Sequence, residues 1–196
     1  IEDIEAEIND KKTYARRRCQ EIMCANEKFS INVNGDIQAA RKLTGQDVYK
    51  AWKKLLSSSH VEIIVIGNAD HMSIASEFKS RFSDIKRENV VVCGTQIIEK
   101  AEETKEVEEN LDITQCKLVM GFRTATSYPS KDNTAFLVMN ALLGGTAQSK
   151  LFLNVREKLS LCYYCSSKYN KHKAVMFIES GVEKEKVDQA KKEIME

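Results

Sequence analysis

LGGTAQSKLFLNVREKLSLCYY, residues Leu143 to Tyr164, packs three structural statements into 22 residues. Gly144-Gly145 closes an apolar helix in the manner of a C-terminal cap. Ser149 to Lys158 spaces its apolar residues as a short amphipathic helix does, and Leu161 to Lys168 is an aromatic, strand-like run. A second strand from Ala174 to Ser180 returns through the turn residues Asn170-Lys171-His172. Strands that come back through a hairpin, with helices between them, argue for an α+β layer rather than a doubly wound parallel sheet. Within the stretch, Arg156 precedes Tyr163 by seven residues.

Working upstream, Pro129 and Ser130 open the helix that ends at Leu143, and Cys116 to Thr124 reads as a strand. Downstream, a last helix begins near Glu183. The first half has a different grammar. Ile1 to about Ala25 carries Ile4, Ile8, Ala15, Cys19 and Ile22 at helical spacing, with charged residues on the other face. Asn34-Gly35-Asp36 is a turn signal. Thr44 caps the next helix with Asp47 as its capping-box partner, and Val48, Trp52, Leu55 and Leu56 form its apolar stripe. Val61 to Gly67 (VEIIVIG) is a short β-branched run and predicts a buried strand, followed by a helix from Asp70 through Phe82. Periodicity then fades, and Glu99 to Glu109 is a charge run expected to be a solvated linker or edge strand. These shifts predict one domain part over 1–90, a charged linker over 91–110 and a second domain part over 111–196.

The bulk properties exclude more than they establish. Thirty basic and 29 acidic residues leave a formal net charge of +1, so no monopole draws the chain to nucleic acid or to a membrane. No apolar run approaches the roughly 20 residues needed to span a bilayer. The chain starts at Ile1 and ends in an unfinished helical pattern, which predicts a fragment of a longer protein. Six cysteines stand at 19, 24, 93, 116, 162 and 165. Cys162-Tyr-Tyr-Cys165 has a metal-like or redox-like spacing, but no second C-x-x-C accompanies it. In a regular strand residues three apart face opposite ways, so ordinary buried thiols in a reducing cytoplasm are expected.

Chemistry-bearing motifs are scarce. His60, His71 and His172 form no H-E-x-x-H or H-x-x-E-H and no i, i+3 or i, i+4 pair. There is no nucleophile elbow and no phosphate loop. Arg156 and Tyr163 remain. A guanidinium offers fixed donors to a peptide carbonyl or carboxylate, and a phenol can donate to a developing oxyanion. On local sequence alone, Arg156 also fits as a surface residue of a helix and Tyr163 as a half-buried residue of a strand.

Taken in order, LTGQDVYKAW (43–52), VEIIVIGNAD (61–70), LDITQCKLVMGFRT (111–124), MNALLGG (139–145), SKLFLNVREKLSLCYY (149–164) and MFIESGVE (176–183) resemble the pitrilysin/insulinase family of zinc metallopeptidases. That family includes the mitochondrial processing peptidases. The likeness is greatest to a bacterial subgroup of non-catalytic paired subunits. The resemblance implies parts of two consecutive α/β-roll domains, with residues 1–84 from the later part of the first. It implies that the zinc motif lies upstream of Ile1, so that no metal ligand and no catalytic residue falls within this chain. Zinc belongs to the active members. Glu2, Glu5 and Glu7 would sit near the family's third ligand and read as a solvated helix face. Arg156 and Tyr163 match the family's substrate-binding pair. Two functions follow from the resemblance: a non-catalytic subunit forming a peptide-holding chamber with an active partner, or part of an active zinc endopeptidase. The implied partners are a peptide or unfolded segment and a homologous peptidase subunit, or a second copy.

Overall fold

The computed structural model describes residues 1–196 except Asn89, Val91 and Cys93. Cys93 and part of the 91–110 stretch therefore lie outside the described residues. In chain order the elements are α1 (Glu2–Ala6), α2 (Lys11–Met23), α3 (Ile37–Lys42), α4 (Gly45–Ser58), α5 (His71–Ser83), β1 (Cys116–Arg123), α6 (Asn133–Asn140), β2 (Cys162–Asn170), β3 (Val175–Val182) and α7 (Val187–Met195). Two π-helical segments, Ala141–Gly145 and Leu151–Lys158, lie between α6 and β2. The class is α+β. Contacts gather the chain into two units, one of residues 1–37 with 95–196 and one of residues 38–94.

The first unit is built on an antiparallel sheet in the order β1-β3-β2. β3 is central and buried along its length, and apart from Glu179 its residues are apolar or small on both faces. Met176, Ile178 and Val182 point to one side. There they meet Leu118, Met120 and Phe122 of β1, Cys162 and Cys165 of β2, Leu151 and Val155 of the second π segment, and Ala190 and Ile194 of α7. The opposite face of β1 and β3 receives α2. Close approach there depends on Gly121, where a Cβ would stand 2.7 Å from the Met23 sulfur and 3.1 Å from the Cys19 sulfur.

Several local expectations shift. The first helix is not continuous. Asp10 interrupts it and caps α2, accepting from the backbone N–H groups of Lys12 at 3.2 Å and Thr13 at 3.1 Å. The apolar period carries straight through this break, so period alone could not show it. α6 begins at Asn133, and its continuation widens into a π turn. Gly144 there does not take a left-handed conformation. It is needed because a Cβ would stand 2.4 Å from the backbone nitrogen of Ser167 on β2. The charged run 99–109 forms no ladder, yet two of its acids pair with the helices. Glu109 accepts from Arg18 Nε at 2.7 Å and from the Tyr14 hydroxyl at 3.0 Å, while Glu106 pairs with Lys191 of α7.

The second unit contains α4 and α5. The capping box at α4 forms as expected, with Thr44 N–H on Asp47 Oδ2 at 3.0 Å and Asp47 N–H on Thr44 Oγ1 at 3.3 Å. Asp70 caps α5 through Ser73 N–H at 2.7 Å. Between them, Val61–Ile66 is not the buried strand its composition predicts. Ile64 and Ile66 are 81% and 94% exposed. A strand exists only through its ladder partners, and none of the described residues pairs with this run. Val48, Trp52 and Leu55 on α4 are exposed as well, and no described residue of 38–94 is buried.

Candidate functional site

Arg156 owes its position to its neighbours. Leu151 and Val155 anchor the second π segment in the core, and Arg156, next along, is left at the surface. Its guanidinium stacks over the Phe152 ring, 4.5 Å from the centroid, and stands 3.6 Å from Glu157. The segment closes with Leu161 N–H donating to Val155 C=O at 3.1 Å, through Ser160 at a φ of +48°. β2 starts at the next residue.

β2 then bulges. Cys162 lies opposite Val182 and Tyr164 opposite Gly181, so Tyr163 is an extra residue with no partner on β3. Its side chain is 60% exposed. β2 is also the outer strand of the sheet, and no described residue extends the ladder beyond it. Arg156 lies close enough to the start of the strand for its charge to act on the Cys162 sulfur. Both residues of the predicted pair are therefore solvent-facing, flanking the entry to an edge strand.

The bulge also corrects the expected placing of Cys162 and Cys165. Because Tyr163 is extra, Cys162 opposes Val182 and Cys165 opposes Ser180, two residues apart on β3, so both sulfurs enter the same core face. The two thiols interact electrostatically, with the buried Ser180 side chain beside them. The Cys165 thiol, the Ser180 side chain and the Arg156 charge hold the Cys162 thiol below the ordinary range against the effect of burial. Cys165, beside that sulfur and more deeply buried, is raised.

Two buried charge clusters on the α2 side of the sheet escaped the sequence reading. Glu27 accepts from Arg123 of β1 and from Lys173, all three side chains being nearly inaccessible. Arg123 also donates to Met23 C=O at 2.9 Å, and Lys173 to Gln96 C=O. Burial alone would raise the Glu27 carboxyl, but the Arg123 and Lys173 hydrogen bonds outweigh it and hold the group below its usual value. The second cluster surrounds the buried Glu179 of β3, with Lys168 at 3.5 Å, Arg16 at 3.6 Å and Lys12 at 3.8 Å. Lys12 also sits over the Tyr164 ring at 4.3 Å. The partners of Glu27 are 96 and 146 positions away, so no local pattern could reveal them.

The donors present do not fit a zinc centre. His60 Nε2 is 2.8 Å from Glu62 Oε1 at an exposed site, and His172 packs its ring edge-on to Tyr128. Glu7 is committed to Arg17, at 2.7 Å, and to the Asn32 amide, at 3.1 Å. Glu2 and Glu5 are exposed. Among the described residues no three His, Cys, Asp or Glu side chains are grouped to hold a metal ion. No described helix is long and apolar enough to cross a membrane.

The peptidase M16 inactive domain model matches residues 42–196. The chain belongs to this family. The likeness to pitrilysin/insulinase metallopeptidases read from its motifs is thereby shown. A relative in Bacillus subtilis (strain 168), named probable inactive metalloprotease YmfF, is 33% identical over 187 residues, covering 95% of this chain and 44% of the relative. Among solved structures, a conserved protein from Enterococcus faecalis V583 superposes with a TM-score of 0.90 at 26% identity, over 97% of this chain and 45% of that one. A peptidase M16 inactive domain from Pseudomonas fluorescens shares the fold at a TM-score of 0.71 and 16% identity, over 93% and 44% of the two chains. This M16 inactive-domain homologue thus spans less than half the length of these relatives.

Proposed function

We propose that this chain is part of a non-catalytic subunit that helps form a peptide-binding chamber with an active homologous peptidase. In this reading Arg156 and Tyr163 face the bound peptide. The observation that carries it is the bulge at Tyr163. It turns a phenol outward from an edge strand that begins six residues after the half-exposed Arg156, in a chain whose described acids and histidines do not fit a zinc centre. An outer strand offers backbone donors and acceptors to an extended segment whatever its sequence, and the two side chains add fixed polar contacts at one end. A peptide or unfolded protein segment is the matching ligand. Membership of an inactive-domain family and the name of the Bacillus subtilis relative support the non-catalytic assignment.

The test is made on the natural protein that contains this sequence, purified alone and with its homologous zinc-bearing subunit. Alone, it should carry far less than one zinc per chain and leave an unstructured peptide intact. Together, the pair should cleave the peptide. Arg156→Ala with Tyr163→Phe should then lower the rate at least about tenfold, one lost transition-state or binding contact being worth that much, with thermal stability unchanged. About one zinc per chain and hydrolysis without a partner would instead make the protein a zinc endopeptidase in its own right.

A further inference from the structure

We propose that Cys162 and Cys165 form a reversible dithiol–disulfide site that exchanges with low-molecular-weight disulfides. The bulge is what makes it possible. In a regular strand these side chains would point apart, but the extra residue places both on one face, against Val182 and Ser180. Two rungs of β3 separate the Cα atoms of their partners by about 6.6 Å, at the upper end of the span a disulfide bridges. Both residues are free thiols in this structure.

The two sulfurs are not equivalent. Cys162 is the first residue of β2, at the rim of the core and 9% exposed, within reach of the Arg156 charge. Cys165 is 3% exposed behind it. The arrangement favours the thiolate on Cys162, whereas Cys19 and Cys24 are pushed up to about 11, chiefly by burial. Cys162 is thus the attacking thiol and Cys165 the resolving one. The Cys162 thiolate attacks one sulfur of a disulfide RSSR, breaking the S–S bond, forming a protein–SR mixed disulfide and releasing RS⁻. Cys165 gives its proton to solvent or to that RS⁻ and attacks the Cys162 sulfur, releasing a second RS⁻. The net change is two protein thiols and RSSR to one protein disulfide and two RSH. The bond closes the loop whose outermost residue is Tyr163. Any effect on peptide binding rests on the function proposed above, but the thiol chemistry does not.

Trypsin releases both cysteines in one peptide, Leu159 to Lys168. The folded chain is equilibrated with reduced and oxidised glutathione at graded ratios, quenched in acid, alkylated and mapped by mass. The expected result is a single transition in which this peptide changes from doubly alkylated to two hydrogens lighter, reversed by dithiothreitol, with far-ultraviolet circular dichroism constant. Cys165→Ser, or Cys165→Ala if the serine is not tolerated, should stop at a glutathione adduct on Cys162, and Cys162→Ser should give no adduct. Iodoacetamide at pH 7 should alkylate Cys162, at the rim of the core near Arg156, at least about tenfold faster than the 1% exposed Cys24. Full alkylation of the peptide at every ratio, pairing with any other cysteine, or oxidation only in denaturant would each overturn the proposal. So would a Cys162 no faster than Cys24.

Discussion

Glu27 holds a negative charge with 1% of its side chain exposed, and two cations compensate it. Removing that charge leaves Arg123 and Lys173 buried without a counter-ion, and Arg123 Nη1 already has no acceptor among the described residues. Breaking such a group by one partner costs about 3–5 kcal/mol. Glu27→Gln should therefore lower unfolding free energy by that amount in urea titrations followed by tryptophan-independent circular dichroism. The sign with pH follows from the depressed native value. The contribution is present in full above the ordinary carboxyl value of 4.5 and is lost as pH falls through the lower native one. The wild-type chain should lose stability below pH 4.5 more steeply than Glu27→Gln does. Sequence could not name this residue, because its partners meet it only in three dimensions. Arg156 and Tyr163, the pair proposed above to face a peptide, could be singled out for the opposite reason: they lie seven positions apart, in a motif whose order survives without the fold.

At the scale of elements, two glycines separate local from tertiary causes. Neither Gly121 nor Gly144 has a left-handed φ, so each is required by what approaches it. An alanine at 121 would press on the thioether of Met23, the mobile end of a side chain, and should cost about 1–3 kcal/mol. An alanine at 144 would meet the backbone of β2, which cannot move aside without breaking its ladder with β3. Gly144→Ala should thus destabilise more than Gly121→Ala, as thermal melting of the two variants would show. β1, β2 and β3 were readable because their pairing partners lie within the chain. Val61–Ile66 is richer in β-branched residues than any of the three and is not a strand, since composition states a preference and only a partner satisfies it. Ile64→Lys and Ile66→Lys should accordingly change the stability of this chain by no more than about 0.5 kcal/mol. Ile178→Ala on β3 should cost about 2–5 kcal/mol, and equal effects in the same denaturation assay would contradict the exposure of the 61–66 run.

Across the whole molecule, buried apolar side chains are distributed unevenly between the two units. Every buried core residue of the described chain lies in residues 1–37 or 95–196, and none lies in 38–94. Capping at Thr44 and Asp70 stabilises α4 and α5 locally, but caps contribute about 1 kcal/mol each, and helices of 13–14 residues are marginal without a packed face. Local opening free energy scales with the apolar contacts that must be broken, so the two units should not unfold together. In native-state hydrogen exchange, amides of α4 and α5 should exchange at least about 100-fold faster than those of β3, a difference of some 2.7 kcal/mol in opening free energy. In urea, helical signal should be lost ahead of the sheet. Equal protection of α4 and β3 would mean that residues 38–94 are held by a core in this chain, and the exposed faces of α4 and the 61–66 run would then have to be covered in solution.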